Sequence, residues 1–344
     1  TVTFEAAKPG LVLPEAAPYT GRLHIRPIGI PAVARREHPA SYQMITKAIA
    51  GAFPEAAPGW HKGTAGAILI VGGSEGLTGA PHLAARAALR AGGGLISVAA
   101  PHGLCRDIKA DCPDIMTRAL GPAGNVRWSP ALLEELLPFL RQCGAMALGP
   151  GIGREPETAA FVQALLMCPS RPSAVVDADA LHALAMHPEA LSSLRACDVL
   201  TPHPGEAATL LHTTPALVQA DRFAALAGLR RLAPSVWILK GAGTLIGTEG
   251  QPVTIAPYAE PNLAVGGSGD VLSGCLGTLM AQTAAHPSEG CESSSFLAAC
   301  MGVHLHARAG RLLREAFPQR GNSATDIAEM LPRARIREAA GDGA

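Results

Sequence analysis

Eleven residues late in the chain, Ala264-Val-Gly-Gly-Ser-Gly-Asp-Val-Leu-Ser-Gly274, place glycines and an acid where a loop turns into an apolar, helical run. Gly266, Gly267, Ser268 and Gly269 carry no large side chain, so their backbone N–H groups are able to converge on one point. That point is also the positive end of a helix dipole, which makes it an anion site. Asp270 then stands beside the anion. A carboxylate next to phosphate is repulsive unless it does chemistry, and the chemistry that fits is taking the proton of a hydroxyl that attacks phosphorus. The plainer alternative is a glycine-rich turn with Asp270 capping its helix. Phosphoryl transfer prevails only where other segments supply a nucleotide loop and groups for a second substrate.

Such segments are present. Lys240-Gly-Ala-Gly-Thr244 follows a short apolar run and suits nucleotide phosphates: Lys240 as the charge, the amides of Gly241, Ala242 and Gly243 as donors, and the Thr244 hydroxyl as a further contact. The same residues read as a hairpin turn between Ile238 and Leu245, which is compatible with binding. In Thr201-Pro-His-Pro-Gly-Glu206, two prolines hold His203 rigidly at a strand end, as a substrate contact requires. Glu206 reads as a first-turn helix carboxylate. In Asp177-Ala-Asp179, Asp179 is expected to cap the next helix, and Asp177 is placed to approach a Mg²⁺ held by phosphates. Gly149-Pro-Gly-Ile-Gly153 and the run from Gly73 to Ala80 leave backbone open to a large ligand. His304 and His306 are two apart, point in different directions on a helix, and read as ordinary helix residues.

The positioning elements are short apolar strands alternating with helices. Ala67-Ile-Leu-Ile-Val71, Leu95 to Ala100, Ala145-Met-Ala-Leu148, Ala174-Val-Val176, Val199-Leu200 and Val236-Trp-Ile-Leu239 each run into a loop and then a helix. This pattern indicates a parallel sheet covered on both faces, with ligands at the carboxyl ends of its strands. Residues 1–59 are rich in Pro and Gly and read as an arm, with a helical patch near 41–50. A polar loop is expected near 286–295. The chain has no G-x-G-x-x-G and no Walker A sequence, which counts against a Rossmann dehydrogenase and a P-loop enzyme. Its 28 basic and 28 acidic residues balance, with no long charged run, so neither nucleic acid nor a membrane surface is the expected partner. Eight scattered cysteines, none in a C-x-x-C pair, read as free thiols in a reducing cytoplasm, with neither disulfides nor zinc.

Together, His61-Lys-Gly63, Gly72-Gly-Ser74 with Thr78-Gly-Ala80, Leu148-Gly-Pro-Gly151, Asp177-Ala-Asp-Ala-Leu181, Pro202-His-Pro-Gly-Glu206, Lys240-Gly-Ala-Gly-Thr244 and Gly266-Gly-Ser-Gly-Asp-Val-Leu272 resemble the ADP-dependent NAD(P)H-hydrate dehydratases, in that family's order and over residues 40–335. The family is a branch of the ribokinase-like superfamily. The resemblance implies an α/β fold, a ribokinase-like three-layer α/β/α sandwich with a central, mostly parallel sheet. It implies a dehydratase domain over 36–336 and a flexible tail at 337–344. Thr1-Val-Thr-Phe4, Lys8-Pro-Gly10 and Gly29-Ile-Pro31 resemble the end of an NAD(P)H-hydrate epimerase domain, so 1–35 is expected to be the tail of such a domain or a linker.

The implied activity is repair: ADP and Mg²⁺ drive removal of water from the S epimers of NADHX and NADPHX, giving NAD(P)H, AMP and phosphate. By resemblance, Lys240, Gly241, Ala242, Gly243, Thr244 and Gly269 contact the nucleotide, and Ala80, Gly151, Gly153, His203 and Asp270 contact the hydrate. Asp270 acts as the base, and Gly267, Ser268 and Gly269 form the anion cradle. A cytoplasmic homo-oligomer, a tetramer in relatives, is implied as well. The family's Asn-Pro-x-Met-Ala-Thr is replaced here by Glu260-Pro-Asn-Leu-Ala-Val265, which removes a threonine hydroxyl before the cradle. The nearest rival reading is a kinase of the same superfamily acting on a small alcohol such as a vitamin precursor. A silent nucleotide-binding module is disfavoured by the retained acid at Asp270.

Overall fold

The computed structural model describes residues 1–56, 58–285 and 291–336. The tail at 337–344 and residues 286–290 of the expected polar loop lie outside the described residues. The core is a ten-stranded sheet of β1 (Tyr42–Met44), β2 (Ala67–Val71), β3 (Leu95–Pro101), β4 (Met116–Leu120), β5 (Ala145–Leu148), β6 (Ser173–Val176), β7 (Val199–Leu200), β8 (Val236–Leu239), β9 (Leu245–Gly247) and β10 (Val253–Ile255). Their order is β1-β10-β9-β8-β7-β6-β5-β2-β3-β4, and β9 alone runs antiparallel to its neighbours. The main helices are α1 (Gly79–Arg90), α2 (Leu132–Leu140), α3 (Pro156–Met167), α4 (Asp179–Met186), α5 (Pro204–Leu210), α6 (Arg222–Leu232), α7 (Ser268–Ala285), α8 (Cys291–Ala316) and α9 (Ala324–Ala334).

Strand side chains alternate between two cores, as a period of two demands. Ile68, Ile70, Val175 and Ile238 pack under α1, α7, α8 and α9, while Leu69, Val71, Val176 and Leu239 pack under α2 to α6. The result is the expected three-layer sandwich. Central strands that are apolar on both faces can lie only inside such a stack.

The helix that follows the glycine loop is the most enclosed. Fourteen of the residues of α7 are buried, so it is wedged between sheet and neighbouring helices and its first turn cannot drift. Small residues make this fit. A side chain at Gly274 would place Cβ 1.9 Å from the Ala84 carbonyl oxygen of α1, so the two backbones touch there and no larger residue is accommodated.

Two local expectations are corrected. The patch at 41–50 is a strand followed by a 3₁₀ turn (Lys47–Ala52). Tyr42–Met44 adds to β10 in parallel register, with the Gln43 amide donating to the Thr254 hydroxyl at 2.8 Å, a tertiary pairing that overrides local preference. Residues 291–295 belong to the first turns of α8 rather than to a loop. Residues 1–35 carry a small two-stranded parallel pair, Val2–Phe4 beside His24–Arg26, separate from the main sheet. Seven cysteines among the described residues are free thiols, and Cys112, Cys275 and Cys300 are buried.

Candidate active site

The singled-out loops leave the carboxyl ends of β8, β7, β6, β5 and β2, which are neighbours in that order. Four steps of about 4.8 Å make this row roughly 19 Å long. A cavity of about 700 Å³ opens over its β8 end, beneath the first turn of α7. Lys240, Gly241, Ala242, Thr244, His203, Gly267, Ser268, Gly269 and Asp270 all line it.

The β8–β9 hairpin holds the Lys240 loop. Leu239 pairs with Leu245, as a hairpin turn requires. The Thr244 hydroxyl donates to the Gly241 carbonyl at 2.9 Å, so its proton bond is local. Arg222 clamps the loop from behind, donating to the carbonyls of Ala242 (2.5 Å) and Leu239 (3.1 Å). Gly243 faces away from the cavity. It has φ +64°, and a Cβ there would meet Pro14 of the N-terminal arm at 2.7 Å.

Lys240 is not a lone cation. Its Nζ lies 2.7 Å from Asp177 Oδ1 and 3.6 Å from Glu206 Oε2. Asp177 Oδ2 accepts from the Ser273 hydroxyl at 2.5 Å, on the second turn of α7. Burial alone raises the Asp177 carboxyl, but the Lys240 charge and hydrogen bonds from Lys240, Ser273 and Thr201 outweigh it and hold the group below its ordinary value. Burial likewise disfavours the Lys240 ammonium, yet Asp177 and Glu206 raise it. Both groups are charged. A side chain at Gly269 would bring Cβ to 3.5 Å from Lys240 Nζ, so the anion loop lies directly against this pair.

At the loop itself, among the described residues, the amides of Gly267, Gly269 and Asp270 donate to no protein acceptor. Ser268 departs from expectation, because its amide donates to the Val265 carbonyl at 3.2 Å and is taken out of the cradle. Its hydroxyl lies 3.1 Å from His306 Nε2. Burial pushes the Asp270 carboxyl up to about 7, with Asp177 and Asp179 adding to the rise and Lys240 opposing it. The result is a carboxyl poised near neutrality.

His203 is fixed by more than its prolines. It caps α5: Nδ1 accepts from the amides of Gly205 (2.9 Å) and Glu206 (3.2 Å), and the Glu206 carboxylate accepts in return from the His203 amide at 2.7 Å. Those bonds place the ring proton on Nε2. Burial and Lys240 lower the histidine, in keeping with a neutral ring.

Asp179 is not the cap of α4. Ala178 is, at φ +51°, a left-handed conformation that costs about 1–3 kcal/mol in a non-glycine residue. The Asp179 carboxylate instead accepts from the Gly153 amide (3.2 Å) and from Arg154 Nε (2.6 Å).

Ala80, Gly151 and Gly153 lie outside the cavity lining, at the β5 and β2 end of the row, and Gly153 lines a second, smaller cavity of about 140 Å³ with Arg154 and Asp179. A Cβ at Gly151 would sit 3.0 Å from Ala80 Cβ, and the Ser74 hydroxyl donates to the Gly151 carbonyl at 2.9 Å, which knits the two glycine loops together. Asp270 stands at the corner. A Cβ at Gly267 would be 3.9 Å from Asp270 Oδ2 and 2.6 Å from Leu83, one turn along α1 from Ala80.

The residues that sequence reasoning passed over are Ser273, Tyr258 and His306. Tyr258 lines the cavity and its hydroxyl pairs with His304 Nδ1 at 2.7 Å. His306 lines the cavity itself, and His304 stands behind Tyr258, so neither is an ordinary helix residue. No three His, Cys, Asp or Glu side chains among the described residues converge on a metal position. No helix among them is long and apolar enough to cross a membrane.

The family model of the NAD(P)H-hydrate dehydratases matches residues 68–333. The bifunctional NAD(P)H-hydrate repair enzyme Nnr of Moorella thermoacetica is 41% identical over 335 residues, covering 96% of this chain and 61% of that protein. The chain thus spans about three-fifths of the length of the curated relatives it matches. Among solved structures, a ribokinase-like superfamily protein from Enterococcus faecalis superposes with a TM-score of 0.70 at 21% identity, over 86% of this chain and 95% of the other. The ADP/ATP-dependent NAD(P)H-hydrate dehydratase of Bacillus subtilis, co-crystallised with ATP/Mg²⁺, gives 0.65 at 22% identity over 84% and 96%. At these identities the two structures speak for the ribokinase-like fold. With the family model spanning residues 68–333, most of the sandwich, the chain belongs to the NAD(P)H-hydrate dehydratase family.

Proposed function

We propose that this chain dehydrates the S epimers of NADHX and NADPHX at the expense of ADP, giving NADH or NADPH, AMP and phosphate. The observation that carries the reading is Asp270, a carboxyl near 7, set between three unengaged amides and a glycine-lined wall. ADP lies in the 700 Å³ cavity, its phosphates toward Lys240 and the first turn of α7, its base against Ala256, Tyr258 and Val303. The hydrate lies along Ala80, Gly151 and Gly153, with its ring hydroxyl at Asp270.

Asp270 takes the hydroxyl proton as the oxygen attacks the β-phosphorus. The bond to the bridging oxygen breaks, and AMP leaves with the electron pair. The Gly267, Gly269 and Asp270 amides receive charge on the transferring group without reorganising. The ring nitrogen then expels phosphate, and loss of a proton from the adjacent carbon completes the double bond. Asp177 is engaged by Lys240 and by the Ser273 hydroxyl. The ion is proposed to travel on the nucleotide's own phosphates, with water completing its shell.

The test is a product balance with S-NADHX and Mg²⁺, with ADP or ATP as donor. NADH, AMP and phosphate in equal amounts with ADP support the proposal. A stable phosphorylated alcohol without NADH would support the small-alcohol kinase instead.

A further inference from the structure

His306 reaches into the cavity from α8, yet neither the proton transfer to Asp270 nor the amide cradle uses it. Its Nε2 lies 3.1 Å from the hydroxyl of Ser268, the first residue of α7. The Ser268 amide is engaged by Val265, so this residue meets a bound anion through its side chain. A serine hydroxyl has one proton and two lone pairs. If the imidazole accepts that proton, the hydroxyl turns lone pairs toward the cavity and repels a phosphoryl oxygen. If Nε2–H donates into Oγ, the hydroxyl proton faces the cavity. A site that already holds Asp177, Glu206 and Asp270 has use only for the second arrangement.

We propose that His306 is a positioning residue: by donating Nε2–H to Ser268 Oγ, it turns the Ser268 hydroxyl into a hydrogen-bond donor to the transferring phosphoryl group. The inference rests on the phosphoryl-transfer reading of the same site. Burial pushes His306 down to about 4, so the ring is neutral and a single tautomer decides its effect. The neighbouring His304 is committed to Tyr258, at 2.7 Å.

The experiment has two arms on the full chain. In the first, ¹⁵N-labelled histidine spectra are recorded with and without ADP, and the His306 signals are assigned by their loss in His306→Gln. The Nε2-protonated tautomer is expected, and the Nδ1-protonated form would overturn the proposal. In the second, kcat and ADP affinity are measured for His306→Leu, His306→Gln, Ser268→Ala and the His306→Leu/Ser268→Ala double variant, with melting temperature as a folding control. His306→Leu and Ser268→Ala should each lower kcat about tenfold, the size of one hydrogen bond to a charged group. The double variant should be no slower than Ser268→Ala alone, and His306→Gln, whose amide also donates, should recover most of the rate. Multiplying losses, or an unchanged His306→Leu, would overturn it. Should the unaltered chain make no NADH, the dehydratase reading fails, and the same ranking sought in ADP affinity still decides whether His306 orients Ser268.

Discussion

Arg171 and Asp198 meet at the amino ends of β6 and β7, and Lys240 and Asp177 meet at the carboxyl ends of β8 and β6. The first pair is closed. Arg171 donates to both Asp198 oxygens (2.8 and 2.6 Å) and to the Leu166 and Ser193 carbonyls, while Asp198 also accepts from the Ala174 and Arg195 amides. Its side chains are 1% and 0% exposed, and it lies away from the cavity. The second pair is unbalanced, with Lys240 facing Asp177, Glu206 and Asp270. Burial raises the carboxyls of Asp270 and Glu206, and the unbalanced negative charge of Asp177 adds to the rise. One pair completes a fold. The other leaves part of its field for a ligand.

The largest break in that comparison is Asp270→Asn. Removing the base should lower kcat by about 10²–10⁴, read as NADH formation at 340 nm. It should not destabilise the protein at pH 8, because it also removes a desolvated charge from a crowded site. Asp198→Asn should do the reverse. Leaving Arg171 buried without its counter-charge is expected to cost about 3–5 kcal/mol in urea unfolding, with kcat per folded molecule unchanged. Lys240→Met falls between them: Asp177 loses its cation, so both stability and ADP affinity drop, the latter by roughly tenfold for one charge-assisted contact.

The gentlest test uses pH. Asp270 binds its proton more tightly folded, near 7, than in the unfolded chain, near the ordinary 3.8. Between those values the folded state holds the extra proton, so this group's contribution to stability falls as pH rises from about 4 to about 7. Activity should rise over the upper part of the same interval, as the base ionises. Melting temperature measured against pH for the unaltered chain and Asp270→Asn isolates the effect, since the variant should lose that slope.

Much of this site is legible in the order of the residues alone, because glycine loops after apolar strands state both where backbone is open and which end of the sheet it occupies. The sandwich follows from the strands' double-sided apolarity. What stays hidden is pairing across the chain. Nothing local in Asp177 announces Lys240, sixty-three residues on, or Ser273. An imidazole is outside the usual capping set, so His203 as a helix cap is invisible to propensity. His306 does carry a signal: it shares a helix face with Val303 and Ala307, and a polar group on a buried stripe needs a partner. Tyr42–Met44 misleads because its strand exists only by virtue of β10.

The most direct test of Asp270 as the base is a titration of that residue itself. Carboxyl signals of ¹³C-labelled aspartate would be followed from pH 3 to pH 9, with Asp270 assigned by its absence in Asp270→Asn. One aspartate is expected to titrate near 7 and to shift when ADP binds. An Asp270 that titrates in the ordinary carboxylate range, indifferent to nucleotide, would contradict that role.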